Sequence, residues 1–414
     1  MQKTPVLIIG CGPAGAAASL FLSKAGIEHV ILEKDSFPRD KVCGDGCSGK
    51  TAFVLKKANP LFLDEIFADS DRFMPSYGIK FAAPNGKFID IPFKVDTAQG
   101  NRPPGFTSQR LQLDNYLFSK LEGSHVTIFQ NVKVVKIVAA ASGKEVTYEH
   151  NGDIKTISCN LLIGADGDKG ICRKTLLQNN EVSKTASIGI RTYYEGVTDM
   201  HQQHFIELHF LKETLPGYFW IFPLPNGQAN IGVGIDAHII RKKKIDLKEV
   251  MLKAIAENPT IKDRFIHAKP VSKIQGWGLP MSSGKRVISG DHFVLTGDAA
   301  SLIDSFTGEG IGNALYSGML AAQTAVKSLE INNYSAEFLQ QEYTDLLFSR
   351  IGGELKLSYT MQKLCRFPWL FNLVINKAYK SPSLQKTISS MFADIDMRSL
   401  LKKPSFYLKI LFNR

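Results

Sequence analysis

Cysteine is scarce in this 414-residue chain: Cys11, Cys43, Cys47, Cys159, Cys172 and Cys365 are all it has, at no framework spacing. That excludes a disulfide-stapled secreted scaffold and predicts reduced thiols in a cytoplasmic protein. Cys43 and Cys47 lie four apart, but no second Cys or His pair follows at zinc-ligand spacing, so no metal site is expected. Internal repeats and low-complexity tracts are missing too, which excludes solenoids and flexible linkers. Charged residues make up only 21% and hydrophobic ones 44%, enough to bury a real core and too apolar for disorder. Negative charge falls short of positive, for a net +11. From Arg350 onward there are twelve Lys/Arg against three Asp/Glu, a net of +9, so the first 349 residues carry only about +2. This basic end reads either as a solvated helical face or as attraction to an anionic membrane surface or a diphosphate. Nucleic acid is not among the expected partners. Thr4 to Ser23 has no charge at all and is long enough to cross a bilayer. Its internal pattern argues against that: a spanning helix has no use for Gly-Cys-Gly-Pro near its middle. No targeting segment is expected elsewhere.

What stands there instead is "VLIIGCGPAG", residues 6–15. Val6 to Ile9 suit a strand buried on both faces. Gly10 permits a tight turn, and Gly12 lets backbone N–H groups approach a pyrophosphate. Pro13 suits a first helical turn, and Gly15 lets the helix pack close to the strand. A helix from Pro13 to about Ala25 would point its positive end at the phosphates. A second strand, His29 to Leu32, ends at Glu33, placed to accept hydrogen bonds from both hydroxyls of a ribose. An acid there disfavours a 2′-phosphate. Strand, glycine turn, helix and acid together predict a dinucleotide site, without choosing between FAD and NAD.

Further along, residues 109–121 read as a helix with Leu111, Leu113, Leu117 and Leu121 on one stripe. Strands are expected around 126–149, at "LLIGADG" (161–167), through 186–236 and at "FVLTGDAA" (293–300). "EGIGNALYSGMLAAQTAVKSL" (309–329) is a long helix, and from about 335 the chain is helical with breaks at Pro368, Pro382 and Pro404. Nucleotide-type elements at both ends enclose a sheet-rich middle. The expected division is a discontinuous FAD-binding domain (1–75, 101–180, 286–335), a substrate-binding sheet domain (76–100, 181–285) and a basic C-terminal helical region (336–414).

Three glycine segments occur in order: "GCGPAG" with Glu33, "GADG" at 164–167, and "GDAASLIDSFTGEGIGNAL" at 297–315. The combination resembles the FAD-dependent oxidoreductases of the p-hydroxybenzoate hydroxylase type. "FPRDKVCGDG" (37–46), "PGYFWIFPL" (216–224) and the G-E-G-I helix start at 308–311 narrow the resemblance to the geranylgeranyl reductase family. It runs from residue 4 to about 330. It implies an α/β fold: a Rossmann-like FAD-binding domain, an antiparallel-sheet substrate domain and a C-terminal helical region. Two departures stand out: a single residue, Gly217, separates Pro216 from Tyr218, and Leu224 stands where many members carry lysine.

The resemblance implies FAD contacts at Gly10, Gly12, Pro13, Ala14, Gly15, Glu33, Lys34, Arg39, Cys43, Gly44, Arg110, Asp166, Gly167, Gly297, Asp298, Gly308, Gly310 and Ile311. Asp166-Gly167 would meet FAD and a nicotinamide donor, with Arg173 shortly after. Arg110 would reach the phosphates or ring edge, and Asp298 the ribityl chain. Gly308, Gly310 and Gly312 would let helix-start amides face the ring, where a helix N-terminus stabilises the reduced anion. Glu309 reads equally as a helix cap. The expected catalytic set is Cys43, Tyr218 and Trp220. Cys43 would position an alkene or deliver a proton; the bland alternative is a small buried hydrophobe. Asp45 and Cys47 are weaker candidates. In "YFWIF", Tyr218, Trp220 and Phe222 share one strand face and would wall an apolar pocket, or else form ordinary sheet core.

The expected reaction is FAD-dependent reduction of a C=C bond in an isoprenoid or similarly apolar chain, diphosphate-bearing substrates included. No second dinucleotide unit is visible, so NAD(P)H or a protein electron donor would act transiently. The alternative is an oxygenase of the same fold (hydroxylase, epoxidase or halogenase); a halogenase would show a conspicuous lysine between flavin and substrate. Localisation is expected to be cytoplasmic, with peripheral membrane contact through the basic end.

Overall fold

The computed structural model describes residues 2–93, 95, 102–123, 125–177 and 186–382. Its hub is the strand Gln2–Ile9, whose last four side chains are buried. It pairs in parallel with His29–Leu32 on one side and Asp153–Gly164 on the other. Val126–Phe129 and Phe293–Leu295 continue the parallel sheet outward. The hairpin Lys133–Ala140 and Gly143–His150 adds an antiparallel flank. Parallel strands need both faces covered, which is why these segments read as unbroken apolar runs. The helix Pro13–Lys24 packs on the long helix Ile311–Ile331, and both join the same core. The approach is close enough to require glycine: a Cβ on Gly318 would sit 2.1 Å from the Ala14 carbonyl oxygen.

A second sheet runs in the order Lys269–Pro270, Ala186–Glu195, Gln228–Asp236, Tyr218–Pro223, Ile206–His209, Gly78–Ala82, Phe88–Pro92, with Gln275–Pro280 also paired to Ala186–Glu195. The antiparallel sheet expected here has one exception. Ile206–His209 runs parallel to Gly78–Ala82. The chain leaves for the first sheet between those two strands, and so long an excursion lets it re-enter in the same direction. Phe219 and Ile221 pack on one face under the helices Ala237–Lys243 and Leu247–Glu257, each N-capped by an aspartate, Asp236 and Asp246. Trp220 and Phe222 lie on the other face with Leu208, Phe210 and Phe306.

A three-stranded ribbon of Gly46–Cys47, Gly105–Thr107 and Met74–Ser76 ties the cysteine loop down. The helix Leu346–Leu364 then flanks the space between the sheets, and Pro368–Lys380 lies over the Phe88–Pro92 edge, with Phe371 4.5 Å from Phe210 between ring centres. The expected break falls here: one helix ends at Leu364 and the next begins at Pro368, whose missing N–H costs nothing in a first turn. Pro404 lies outside the described residues. No helix among the described residues is long and apolar enough to cross a membrane.

Candidate active site

The carboxyl ends of the parallel strands open into a cavity of about 1390 Å³. That exceeds the roughly 300–1,000 Å³ of an ordinary single-ligand pocket, and it lies where open α/β sheets bind ligands. The cavity runs from the glycine turn at Gly10 to an apolar arm lined by Ile79, Leu208, Trp220, Phe222, Phe306 and Met361.

At the polar end Gly10 holds φ at +96°, and a Cβ there would lie 2.5 Å from the Ala165 carbonyl oxygen. Gly12, Pro13 and Ala14 line the cavity, and the helix they open has no side-chain cap, so its first-turn N–H groups are open. Gly15 is not among the lining residues. A Cβ there would lie 1.9 Å from the Gly10 oxygen, so Gly15 seats the helix on the turn. Glu33 is buried. Its Oε2 accepts from the Cys11 N–H at 2.5 Å and its Oε1 from the Asp35 N–H at 2.9 Å, so it braces the turn while both oxygens keep acceptor capacity. Lys34 stays exposed at the mouth beside Asp35.

Arg110, expected at the phosphates or ring edge, stands in a charged cluster. It lines the cavity as half of a buried pair: its Nε and Nη2 each donate to Asp114 at 2.7 Å. Arg39 joins at 2.8 Å, so one carboxylate holds two guanidiniums. Burial opposes the Asp114 charge, but Arg110 and then Arg39 keep the carboxyl below its ordinary range. Asp114 was missed in the sequence, although the i,i+4 spacing from Arg110 was a readable signal. Asp298 lines the cavity already paired to Lys41 at 2.9 Å. Asp166 spends Oδ2 on the Cys172 N–H at 2.8 Å, and burial raises its pKa. Gly167, Gly297 and Gly308 all hold positive φ on the cavity wall, where a side chain would be strained.

Gly310 and Ile311 line the wall at the start of the long helix. Gly312 does not: its N–H donates to Glu309 at 2.6 Å, so the capping role of Glu309 is the one that the geometry shows. Burial raises the Glu309 pKa. Tyr218 donates its hydroxyl to the Thr307 carbonyl at 2.5 Å, stitching the aromatic strand to this helix start. Tyr218, Trp220 and Phe222 do share one face and all reach the cavity. Leu224 is buried. Lys50, another cavity-wall lysine not singled out from the sequence, is held by Glu354 at 3.3 Å and Asn313 at 2.6 Å.

All six cysteines are free, and Cys43 is the one that is not fully buried. Gly44 and Gly46, on the same loop, approach Phe222: Cβ atoms there would lie 3.4 and 3.2 Å from its ring. The loop therefore touches the aromatic wall, while on the polar side its Asp45 Oδ1 accepts the Arg110 backbone N–H at 3.2 Å. Burial raises the Cys43 pKa, so it presents a thiol, a proton donor, rather than a thiolate.

These features fit a dinucleotide: an uncapped helix start, glycines where side chains would intrude, and an Arg39 Nε that is buried without a hydrogen bond, its ion-pair partner Asp35 standing 3.6 Å away. A family model described as "FAD binding domain" matches residues 3–323. The chain belongs to the FAD-binding domain family. A menaquinone reductase of Mycolicibacterium smegmatis is 28% identical over 82% of this chain and 81% of its own length. A digeranylgeranylglycerophospholipid reductase of Methanococcus vannielii is 28% identical over 88% of each. Among solved structures, a geranylgeranyl bacteriochlorophyll reductase-like protein of Thermoplasma acidophilum superposes with a TM-score of 0.78 at 22% identity, covering 97% of this chain and 99% of that one. A flavin-dependent brominase reaches 0.77 at 18% identity, covering 98% and 100%, and shares the fold alone. The resemblance to geranylgeranyl reductases read from the glycine segments and the cysteine loop stands.

Proposed function

We propose that the protein is an FAD-dependent reductase that saturates a C=C bond in an isoprenoid chain. The observation that carries this reading is the continuity of the cavity from the glycine turn to the apolar aromatic arm, with the Cys43 thiol on the loop that touches both. FAD bound at the polar end supplies the electron pair as hydride. Gly10 to Ala14 would hold its diphosphate at the helix N-terminus, Glu33 its ribose, and Asp166 and Asp298 line its path. The aromatic face of Tyr218, Trp220 and Phe222 excludes water and holds the apolar chain. Cys43 Sγ–H would donate the proton to the second carbon; the raised pKa that burial gives it, which keeps the proton on sulfur, supports that role. NAD(P)H or a protein donor would supply electrons transiently. The names of the reductase relatives favour a prenylated quinone or a prenyl lipid as substrate.

The test uses purified protein loaded with FAD and reduced anaerobically, then offered geranylgeranyl diphosphate or a menaquinone in separate arms. A product two mass units heavier, formed without oxygen and still heavier after any quinol has been reoxidised to quinone, supports the reading. Reduced protein that saturates neither probe and oxygenates one once air is admitted overturns it.

A further inference from the structure

Asn230 stands outside every motif picked from the sequence and does not line the cavity, yet it joins the cysteine loop to the aromatic wall. It is fully buried on the strand Gln228–Asp236. Its Oδ1 accepts the Trp220 indole N–H at 2.8 Å. Its Nδ2 donates twice, to the Cys43 carbonyl and to Asp45 Oδ2, both at 2.8 Å. The indole only donates, and the carbonyl and carboxylate only accept, so the amide fits in one orientation. Asp45 completes the joint. It holds a left-handed φ of +67°, is buried, and also accepts from the Tyr193 hydroxyl at 2.8 Å and the Arg110 N–H at 3.2 Å. The indole meanwhile lies on a floor of glycines. A Cβ at Gly232 would lie 2.1 Å from its ring, and Cβ atoms at Gly189 and Gly234 would touch it at 3.7 Å. Strand Ala186–Glu195 grips the same loop at both ends, through Arg191 on Asp40 at 2.8 Å and through Tyr193 on Asp45.

We propose that Asn230 is a positioning residue: it fixes Trp220 and the Cys43 backbone relative to one another, and so sets the slot that the double bond enters. The inference rests on the reductase reading above. A misplacement of about 1 Å at a reacting centre costs roughly 10²-fold in rate, so a residue that touches no substrate still governs turnover.

The test compares wild type, Asn230→Asp and the double variant Asn230→Asp/Asp45→Asn, all with FAD bound. The single change sets a carboxylate against Asp45 and the Cys43 carbonyl. The double change exchanges amide and carboxylate between the two positions and so restores a donor. The amide introduced at position 45 can donate to the carboxylate introduced at position 230, which still accepts from Trp220, and asparagine tolerates positive φ. One readout needs no substrate: the rate at which iodoacetamide alkylates Cys43, the other five cysteines being buried. The expected result is an alkylation rate changed by roughly tenfold in the single variant, the scale of a lost buried hydrogen bond. The kcat for double-bond reduction should fall about 10²-fold, with KM, bound FAD and dithionite reduction of the flavin unchanged. The double variant should recover part of both effects, because the contact between positions 45 and 230 is restored while the Cys43 carbonyl still faces a carboxylate oxygen. Wild-type alkylation and kcat in Asn230→Asp, activity lost only in proportion to bound FAD, or a double variant no better than the single, would each overturn the proposal. Should Asn230→Asp fail to fold, Trp220→Phe breaks the joint from its other end. It must then change Cys43 alkylation by a similar factor, and no change sinks the coupling. If wild type reduces neither probe, the reductase reading fails while the alkylation comparison still decides the joint.

Discussion

Replacing Asp114 by asparagine removes the one negative charge between Arg110 and Arg39. The carboxylate side chain is fully buried, Arg110 reaches it with two bonds of 2.7 Å, and Arg39 with one of 2.8 Å. Asparagine keeps one acceptor oxygen but turns an amide N–H toward a guanidinium. Breaking a buried ion pair by removing one partner costs about 3–5 kcal/mol, because the remaining charge stays buried and uncompensated. The apoprotein should therefore lose about that much stability. FAD should return part of it, since its diphosphate would offer the freed guanidiniums a new counter-charge, and ligand that binds only the folded state stabilises by mass action. The assay is urea unfolding of apoprotein and FAD-loaded protein, wild type against Asp114→Asn. The FAD-induced rise in midpoint should be larger in the variant. An apoprotein loss below about 1 kcal/mol would show that the pair is not the buried, mutually dependent unit described, because that is the scale of an exposed ion pair. An equal or smaller FAD effect in the variant would show that the two arginines do not face the diphosphate. The pH sign follows from the lowered carboxyl: its contribution is fully present above the ordinary aspartate value of about 4 and is lost as pH falls through the lower folded value.

Asp45 works in the opposite sense. Burial pushes its pKa up to about 6, so the folded chain binds an extra proton between about 4 and 6, and this group makes stability fall as pH rises through that window. Asp45→Asn should remove that slope; a wild-type-minus-variant difference that stays flat across the window would refute it. Gly15→Ala forces a Cβ to within 1.9 Å of the Gly10 oxygen, so the helix must lift off the turn. Such overpacking costs about 1–3 kcal/mol or more, and FAD affinity, read by quenching of its fluorescence, should fall with it; unchanged affinity would mean that the helix start does not hold the cofactor. Deleting residues 383–414 removes six Lys/Arg and two Asp/Glu, a net of +4, without touching any described cavity residue. Binding to anionic vesicles should weaken by up to about 1 kcal/mol per basic residue and become less steeply dependent on salt. Equal binding with and without these residues would place the contact elsewhere. A cut at 350 would not serve, because Glu354 and Met361 belong to the cavity wall.

The sequence alone determined the parts whose physics is local. Val6 to Ile9, the glycine turn, Pro13 at the helix start and Glu33 could be read because a buried parallel strand, a tight turn and a dipole-bearing helix each require those residue types within a few positions. The shared face of Tyr218, Trp220 and Phe222 followed from a period of two. What only the tertiary structure decided is pairing between distant segments: Arg39 meeting Asp114 across 75 positions, Lys41 meeting Asp298 across 257 positions, Asn230 holding a loop 187 positions away. Such partners leave no mark in spacing, because a buried charge or amide needs only a counterpart in space, and any segment that the fold brings there can supply it. The same reason explains Gly312, which shares its motif with cavity-lining neighbours: only the packing around it shows that its N–H goes to Glu309. The close packing at Gly15, by contrast, was already legible in the spacing of the glycine turn.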